Sequence, residues 1–145
     1  MAFSFDSTLV HLLHRALQNA TGMFMTASKH GVTPRQYVVL EAIAENEGLN
    51  QTDIVERSGM DRSTTADIVQ RMIKNGLLQR RRSASDSRAY KIKLTEKGRK
   101  LLNQAKNIAE GIDKIMLESL STAECTDLRR QLKFLARDLE AMKNI

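Results

Sequence analysis

At Gly76 the apolar pattern of this chain changes period, and that change restricts the fold more than any other feature. Before it, Thr65, Ile68, Val69 and Met72 recur at three- and four-residue spacing, as on the inward face of a helix. After it, residues 78–82 and 89–94 alternate, with Tyr90, Ile92 and Leu94 on one face of the second segment and Lys91 and Lys93 on the other. Residues 83–88 read Ser-Ala-Ser-Asp-Ser-Arg, a run of turn formers, so the two segments predict a hairpin. Asp61 stands directly before the helical run as an N-cap, and Gly76 ends it where a left-handed residue follows a C-cap. Helical spacing fills the rest of the chain, which predicts a mainly α fold with one small β-hairpin.

The charge is as local as the period change. Residues 61–100 hold twelve Lys/Arg against four Asp/Glu, a net of +8, while the remainder holds eleven against thirteen, a net of −2. The whole-chain excess of +6 therefore belongs to the helix and the ribbon after it. A concentrated positive field of this kind suits a polyanion bound by counterion release. The outward helix face carries Arg62, Ser63, Thr64, Asp67, Gln70 and Arg71, a mixture of donors, acceptors and small side chains that fits base edges and phosphates in a major groove. Double-stranded DNA is the partner this predicts.

Other classes find less support. No Ser/His/Asp set, Gly-rich phosphate loop or metal-spaced Cys/His cluster is visible, so an enzyme is not expected. His11 and His14 share a helix face, but with no second ligand pair neither a metal nor a cofactor is expected. The lone Cys125 permits no internal disulfide and suits a reducing cytoplasm. Residues 3–10 lack a basic n-region and a long apolar core, and no window approaches eighteen apolar residues, so neither export nor membrane insertion is expected.

Around the basic stretch the chain reads as a series of capped helices. The first starts at about Ser7, with Leu9, Leu13, Leu17, Ala20 and Phe24 spaced by three or four, and breaks at Lys29-His30-Gly31; Met23, Phe24 and Met25 form an apolar cluster at its end. Thr33, Pro34 and Gln36 predict a capping box opening the second, and Asn50 caps a short third over 51–58. Ser58-Gly59-Met60 then turns into the helix at Asp61, giving a helix-turn-helix with the hairpin as its wing. Thr95 caps a long helix over 96–120, about 37 Å at 1.5 Å per residue, and Ser121 with Glu124 forms a capping box for a last helix reaching the C-terminus. Both end regions carry apolar stripes too large for so small a chain to cover alone, so a homodimer is expected. The resulting division is 1–30 for an N-terminal dimerisation helix, 31–95 for the winged helix-turn-helix lobe and 96–145 for long helices completing the dimerisation region.

Several short runs together resemble the MarR family of winged helix-turn-helix transcriptional regulators: Gly-Val-Thr-Pro-Arg-Gln-Tyr at 31–37, Gly-Leu-Asn-Gln at 48–51, Ser63-Thr64-Thr65 with Gly76-Leu77-Leu78, and above all Asp86-Ser87-Arg88 followed by Leu94-Thr95-Glu96-Lys97-Gly98. The resemblance covers about residues 32–102. It implies an obligate dimer made by the terminal helices, the helix from Asp61 in each major groove, and wings in adjacent minor grooves. Arg88 is then the minor-groove residue, Asp86 braces the wing against a neighbouring arginine, Arg82 belongs to the same basic ribbon, and Gln51 meets a phosphate. Many members carry a basic residue where this chain has Asp67, which leaves two roles for it: accepting from a cytosine amino group, or pairing with Arg71 four residues on, the latter preferred.

The family pattern further implies a repressor of a pseudo-palindromic operator, released by a small aromatic or acidic effector. His11, Arg15, Met23, Met25, Arg35 and Tyr37 are the candidates for holding it, offering apolar walls with cationic and hydrogen-bonding groups. Redox-sensing members place their cysteine near the N-terminus, unlike Cys125. A non-specific architectural DNA-binding protein is the alternative reading, and the small polar groups on the 61–75 helix argue against it.

Overall fold

The computed structural model describes residues 4–82, 84 and 90–142. Its elements are a 3₁₀ turn Phe5–Ser7, then α1 Leu9–Ala27, α2 Pro34–Glu45, α3 Gln51–Ser58, α4 Arg62–Lys74, β1 Leu78–Arg82, β2 Tyr90–Leu94, α5 Glu96–Leu117 and α6 Thr122–Lys133. A π-helical turn, Phe134–Asp138, leads from α6 into a last short helix, α7 Leu139–Met142. By internal contacts the chain divides into two compact units, Met1–Ala109 and Glu110–Ile145. No helix among the described residues is long and apolar enough to cross a membrane.

Local chemistry sets most of these boundaries. Thr33 and Gln36 bond each other's backbone at 3.1 and 3.0 Å, with Pro34 at the first helical position. Asn50 with Asp53 and Ser121 with Glu124 form the same reciprocal arrangement. At the end of α4, Gly76 has φ +75, its N–H reaches the Ile73 carbonyl at 3.0 Å, and the Leu77 N–H reaches that of Met72 at 2.9 Å. That pair of bonds is a Schellman ending, and it needs the left-handed backbone that glycine adopts without a Cβ penalty.

Three features depart from the expected pattern. α1 starts at Leu9 because the Ser7 and Thr8 hydroxyls donate back to the Ser4 and Phe5 carbonyls, at 2.9 and 3.0 Å, closing a separate turn. α5 stops at Leu117, about 33 Å from its start, because residues 118–120 are needed to turn into the Ser121 cap. The final helix is interrupted by the π turn, whose extra residue rotates the apolar positions after it.

The core of the first unit joins Val39, Leu40 and Ile43 of α2, Ile54 of α3, Val69 and Met72 of α4, and Leu78, Ile92 and Leu94 of the hairpin. Leu102 and Ala105 of α5 are also buried. Thr65 is fully buried with its hydroxyl donating to the Asp61 carbonyl at 2.9 Å, so it enters the core without an unmet polar group. The hairpin is antiparallel with Leu78 opposite Leu94, Arg80 opposite Ile92 and Arg82 opposite Tyr90. Leu49 bridges to Ile92, whose N–H donates to the Leu49 carbonyl at 2.9 Å, tying the loop before α3 to the ribbon.

The hairpin is seated on α5 by one threonine. The Thr95 hydroxyl lies 2.6 Å from the Gly76 carbonyl and 3.1 Å from that of Leu77, sharing its proton between them while accepting from the Gly98 N–H at 3.0 Å. Lys97 adds a bond to the Asn75 carbonyl at 2.9 Å. The end of α4, the start of β1 and the start of α5 thus meet at a single latch.

Candidate nucleic-acid interface

α3 and α4 are joined by a turn in which Gly59 has φ +69, and the turn ends on Asp61. The Asp61 carboxylate accepts from the Thr64 N–H at 2.7 Å, the Thr64 hydroxyl at 2.7 Å and the Ser63 hydroxyl at 2.8 Å. These bonds, those from Thr64 foremost, hold its carboxyl at about 2 against an ordinary 3.8. Because the folded value is depressed, the stabilisation by the ionised cap is complete above pH 3.8 and is lost as the pH falls through about 2. Asp61→Asn keeps an oxygen acceptor but no titrating charge. The stability difference between the two proteins, followed by circular dichroism in acid, should shrink across that window; a constant difference contradicts the assignment.

This geometry alters what the helix presents. Ser63 and Thr64 have their hydroxyl protons committed to Asp61, so toward a partner they offer lone pairs. Arg62, Asp67, Gln70 and Arg71 are exposed along α4. Asp67 Oδ2 lies 3.2 Å from Arg71 Nε, the intrahelical pair that the spacing favoured. Gln51 is half-buried at the start of α3, and Arg82 is exposed at the end of β1. Asp86 and Arg88 lie outside the described residues, as do all of 83–88 except Ala84.

Arginine pairing sorts by position. Arg57 faces Glu45 and Arg99 faces Glu47, while Arg71 faces Asp67. Arg62, Arg80, Arg81 and Arg82 have no carboxylate partner among the described residues, and all are exposed on one end of α4 or on β1. Exposed guanidinium groups on the ribbon and at the start of a helix of mixed polar character are suited to phosphate and base contact. Tyr90 does not extend the core as alternation suggested. It is 41% exposed beyond the last helix-covered pair of the ribbon, and Arg80 stands over its ring.

The six effector candidates do not converge within one chain. His11 lies against the 3₁₀ turn, 4.1 Å from the Phe5 ring centroid and 3.9 Å from Asp6 Oδ1. At the far end of α1, Phe24 contacts the Tyr37 ring at 5.8 Å, between the half-buried Met23 and Met25. Thirteen residues of helix, about 20 Å, separate His11 from Phe24. Tyr37 donates to Glu41 at 3.0 Å, and Glu41 pairs with Lys106 of α5 at 3.3 Å. Arg15 and Arg35 are exposed and have no carboxylate partner among the described residues. A depression of about 660 Å³ lined by Gln36, Asn75, Lys97, Lys100 and Gln104 among others contains none of the six.

Comparison with known proteins agrees with this architecture. A model of the MarR family matches residues 30–89. Transcriptional regulator HosA of Escherichia coli O157:H7 is 34% identical over 93 residues, covering 64% of this chain and 69% of that protein. BpsR of Bordetella bronchiseptica, whose DNA binding is regulated by 6-hydroxynicotinic acid, superposes with a TM-score of 0.87 at 25% identity, covering 94% of this chain and 99% of that one. The transcriptional repressor CouR, solved on a 23-mer DNA duplex, does so at 0.84 and 28% identity over 94% and 100% of the two chains. CouR from Rhodococcus jostii RHA1 is also known bound to p-coumaroyl-CoA, with a TM-score of 0.82 at 27% identity over 94% and 96%. By sequence and by architecture, the chain belongs to the MarR family of winged helix-turn-helix transcriptional regulators.

Proposed function

We propose that this regulator is a homodimeric repressor that binds a pseudo-palindromic operator and leaves it when a small aromatic or acidic molecule binds. The observation that carries the reading is the exposed polar face of α4 together with the exposed Arg62, Arg80, Arg81 and Arg82, all lacking carboxylate partners among the described residues. Each α4 enters a major groove, where Gln70 and Arg71 meet base edges and phosphates, Ser63 and Thr64 accept from base-edge donors, and Gln51 meets the backbone. Arg88 reaches the minor groove from a wing that Asp86 braces by pairing with a neighbouring arginine. Effector binding favours a dimer whose two α4 helices no longer match the half-site spacing, so the difference in affinity between the two forms sets derepression.

Dimerisation is supported by apolar residues that one copy leaves in solvent: Leu9, Leu13 and Leu17 on α1, and Ile115, Leu132 and Met142 in the second unit. Light scattering at micromolar concentration should give twice the 16.4 kDa chain mass. Leu17→Glu, at a position 66% exposed in the single chain, should return it to one. A wild-type particle of 16.4 kDa contradicts the dimer.

The effector class rests on the similarity to BpsR and CouR, whose ligands are an aromatic acid and an aromatic acyl thioester. Arg15 and Arg35 are the cations here available to a carboxylate, with Met23, Met25, Tyr37 and His11 as walls. Fluorescence anisotropy on bound DNA, titrated with aromatic acids, aromatic acyl thioesters and phenols, tests it. Release by at least one of these is expected, and indifference to all of them contradicts an aromatic effector.

A further inference from the structure

The ribbon face that begins at Leu78 and Leu94 changes character along its length. Leu78, Ile92 and Leu94 are buried, whereas Arg80, Arg82 and Tyr90 on the same face continue into solvent. There the Arg80 Cζ stands 5.4 Å from the centroid of the Tyr90 ring, within the range of a cation–π contact. The Arg80 N–H groups donate to no hydrogen-bond partner among the described residues and so are available to an anion. Arg80 meets no carboxylate among the described residues. The pair borders a notch of about 290 Å³ whose other walls are Asn50, Gln51, Thr52 and Ile92. Gln51 and Thr52 bring side-chain donors that make no hydrogen bond among the described residues. Asp53, the carboxylate nearest in sequence, is occupied by the Asn50 N–H at 3.1 Å. The Leu49–Ile92 bridge fixes this loop against β2.

We propose that the Arg80–Tyr90 pair is a clamp for one phosphodiester of the DNA backbone, with Arg80 making the contact and Tyr90 acting as its positioning residue. The inference rests on the DNA-binding reading above; it gives Arg80 a defined contact and adds Tyr90. An open notch whose described walls bring one arginine together with the neutral donors of Asn50, Gln51 and Thr52 fits a phosphate edge. An arginine confined to one ring face loses less side-chain freedom on binding than one free in solvent. The clamp carries no base information, so its contribution is equal on specific and random duplexes.

The test uses the full chain on a duplex chosen by selection and on a random duplex, across a salt series. Arg80→Ala should weaken both complexes on the order of ten-fold and make the slope of log K against log salt shallower by about 0.9. Tyr90→Ala should reproduce part of both changes, and Tyr90→Phe, which keeps the ring, should restore them. In an Arg80→Ala background, Tyr90→Ala should have no further effect. An unchanged Arg80→Ala protein, or a Tyr90→Ala loss that persists without Arg80, overturns the clamp while leaving the DNA-binding reading intact. A wild-type protein that binds neither duplex overturns both.

Discussion

Gly98→Ala is expected to lower the thermal midpoint by about 5–10 °C, from an overpacking cost near the upper end of about 1–3 kcal/mol. Replacing glycine by alanine inside a helix ordinarily stabilises by up to about 1 kcal/mol, so the opposite sign needs a specific cause. A Cβ at Gly98 would lie 2.1 Å from the Leu77 carbonyl oxygen and 3.1 Å from its carbon. The obstacle is backbone, and that backbone is already held by the Thr95 N–H at 3.0 Å and the Thr95 hydroxyl at 3.1 Å. Relief requires lifting α5 off the start of β1, which breaks the latch and withdraws Leu102 and Ala105 from their packing. Thermal melts followed by circular dichroism decide the matter: an unchanged or raised midpoint would mean that α5 does not approach Leu77 as described.

The largest expected effect on function comes from exposed arginines at the start of α4 and the end of β1. Arg62→Ala combined with Arg82→Ala should weaken operator binding on the order of a hundred-fold and reduce the salt slope by about 1.8, the value for two phosphate contacts. Both side chains are exposed and meet no carboxylate among the described residues, so stability should change little. Arg71→Ala makes the comparison sharper. Asp67 stands 3.2 Å from Arg71 and offsets part of its charge, so removing Arg71 should change the slope less than removing Arg62 or Arg82 alone. Equal slopes for all variants would place these arginines outside the interface.

What was legible in the sequence was local. The Thr33–Gln36 box, the Asn50, Asp61 and Ser121 caps, the Gly76 ending and the Asp67–Arg71 pair each depend on residues within four or five positions. Side-chain chemistry at that range dictates the geometry nearly by itself. What was missed depended on contacts from elsewhere or on competition within one site. Alternation placed Tyr90 with Ile92 and Leu94, but burial ends where the helices cease to cover the ribbon, and sequence does not mark that edge. Ser63 and Thr64 read as part of a groove-facing mixture of donors, acceptors and small side chains, and sequence does not mark that one carboxylate with two oxygens takes both hydroxyl protons. Gly98 belonged to a recognisable motif, but its reason, the Leu77 carbonyl twenty-one residues earlier, appears only in three dimensions. Likewise Arg80 was one basic residue among many until the strand register set it diagonally across from Tyr90.

In the proposed repressor, two copies of α4 held at a fixed separation read sequence on one face of DNA. Selection of bound duplexes from a random pool by the full-length protein tests it most directly. A pseudo-palindrome with half-site centres about one helical turn, roughly 10 base pairs, apart should be enriched, bound by two chains. Recovery of no palindromic site, with equal affinity for selected and random duplexes, would contradict it.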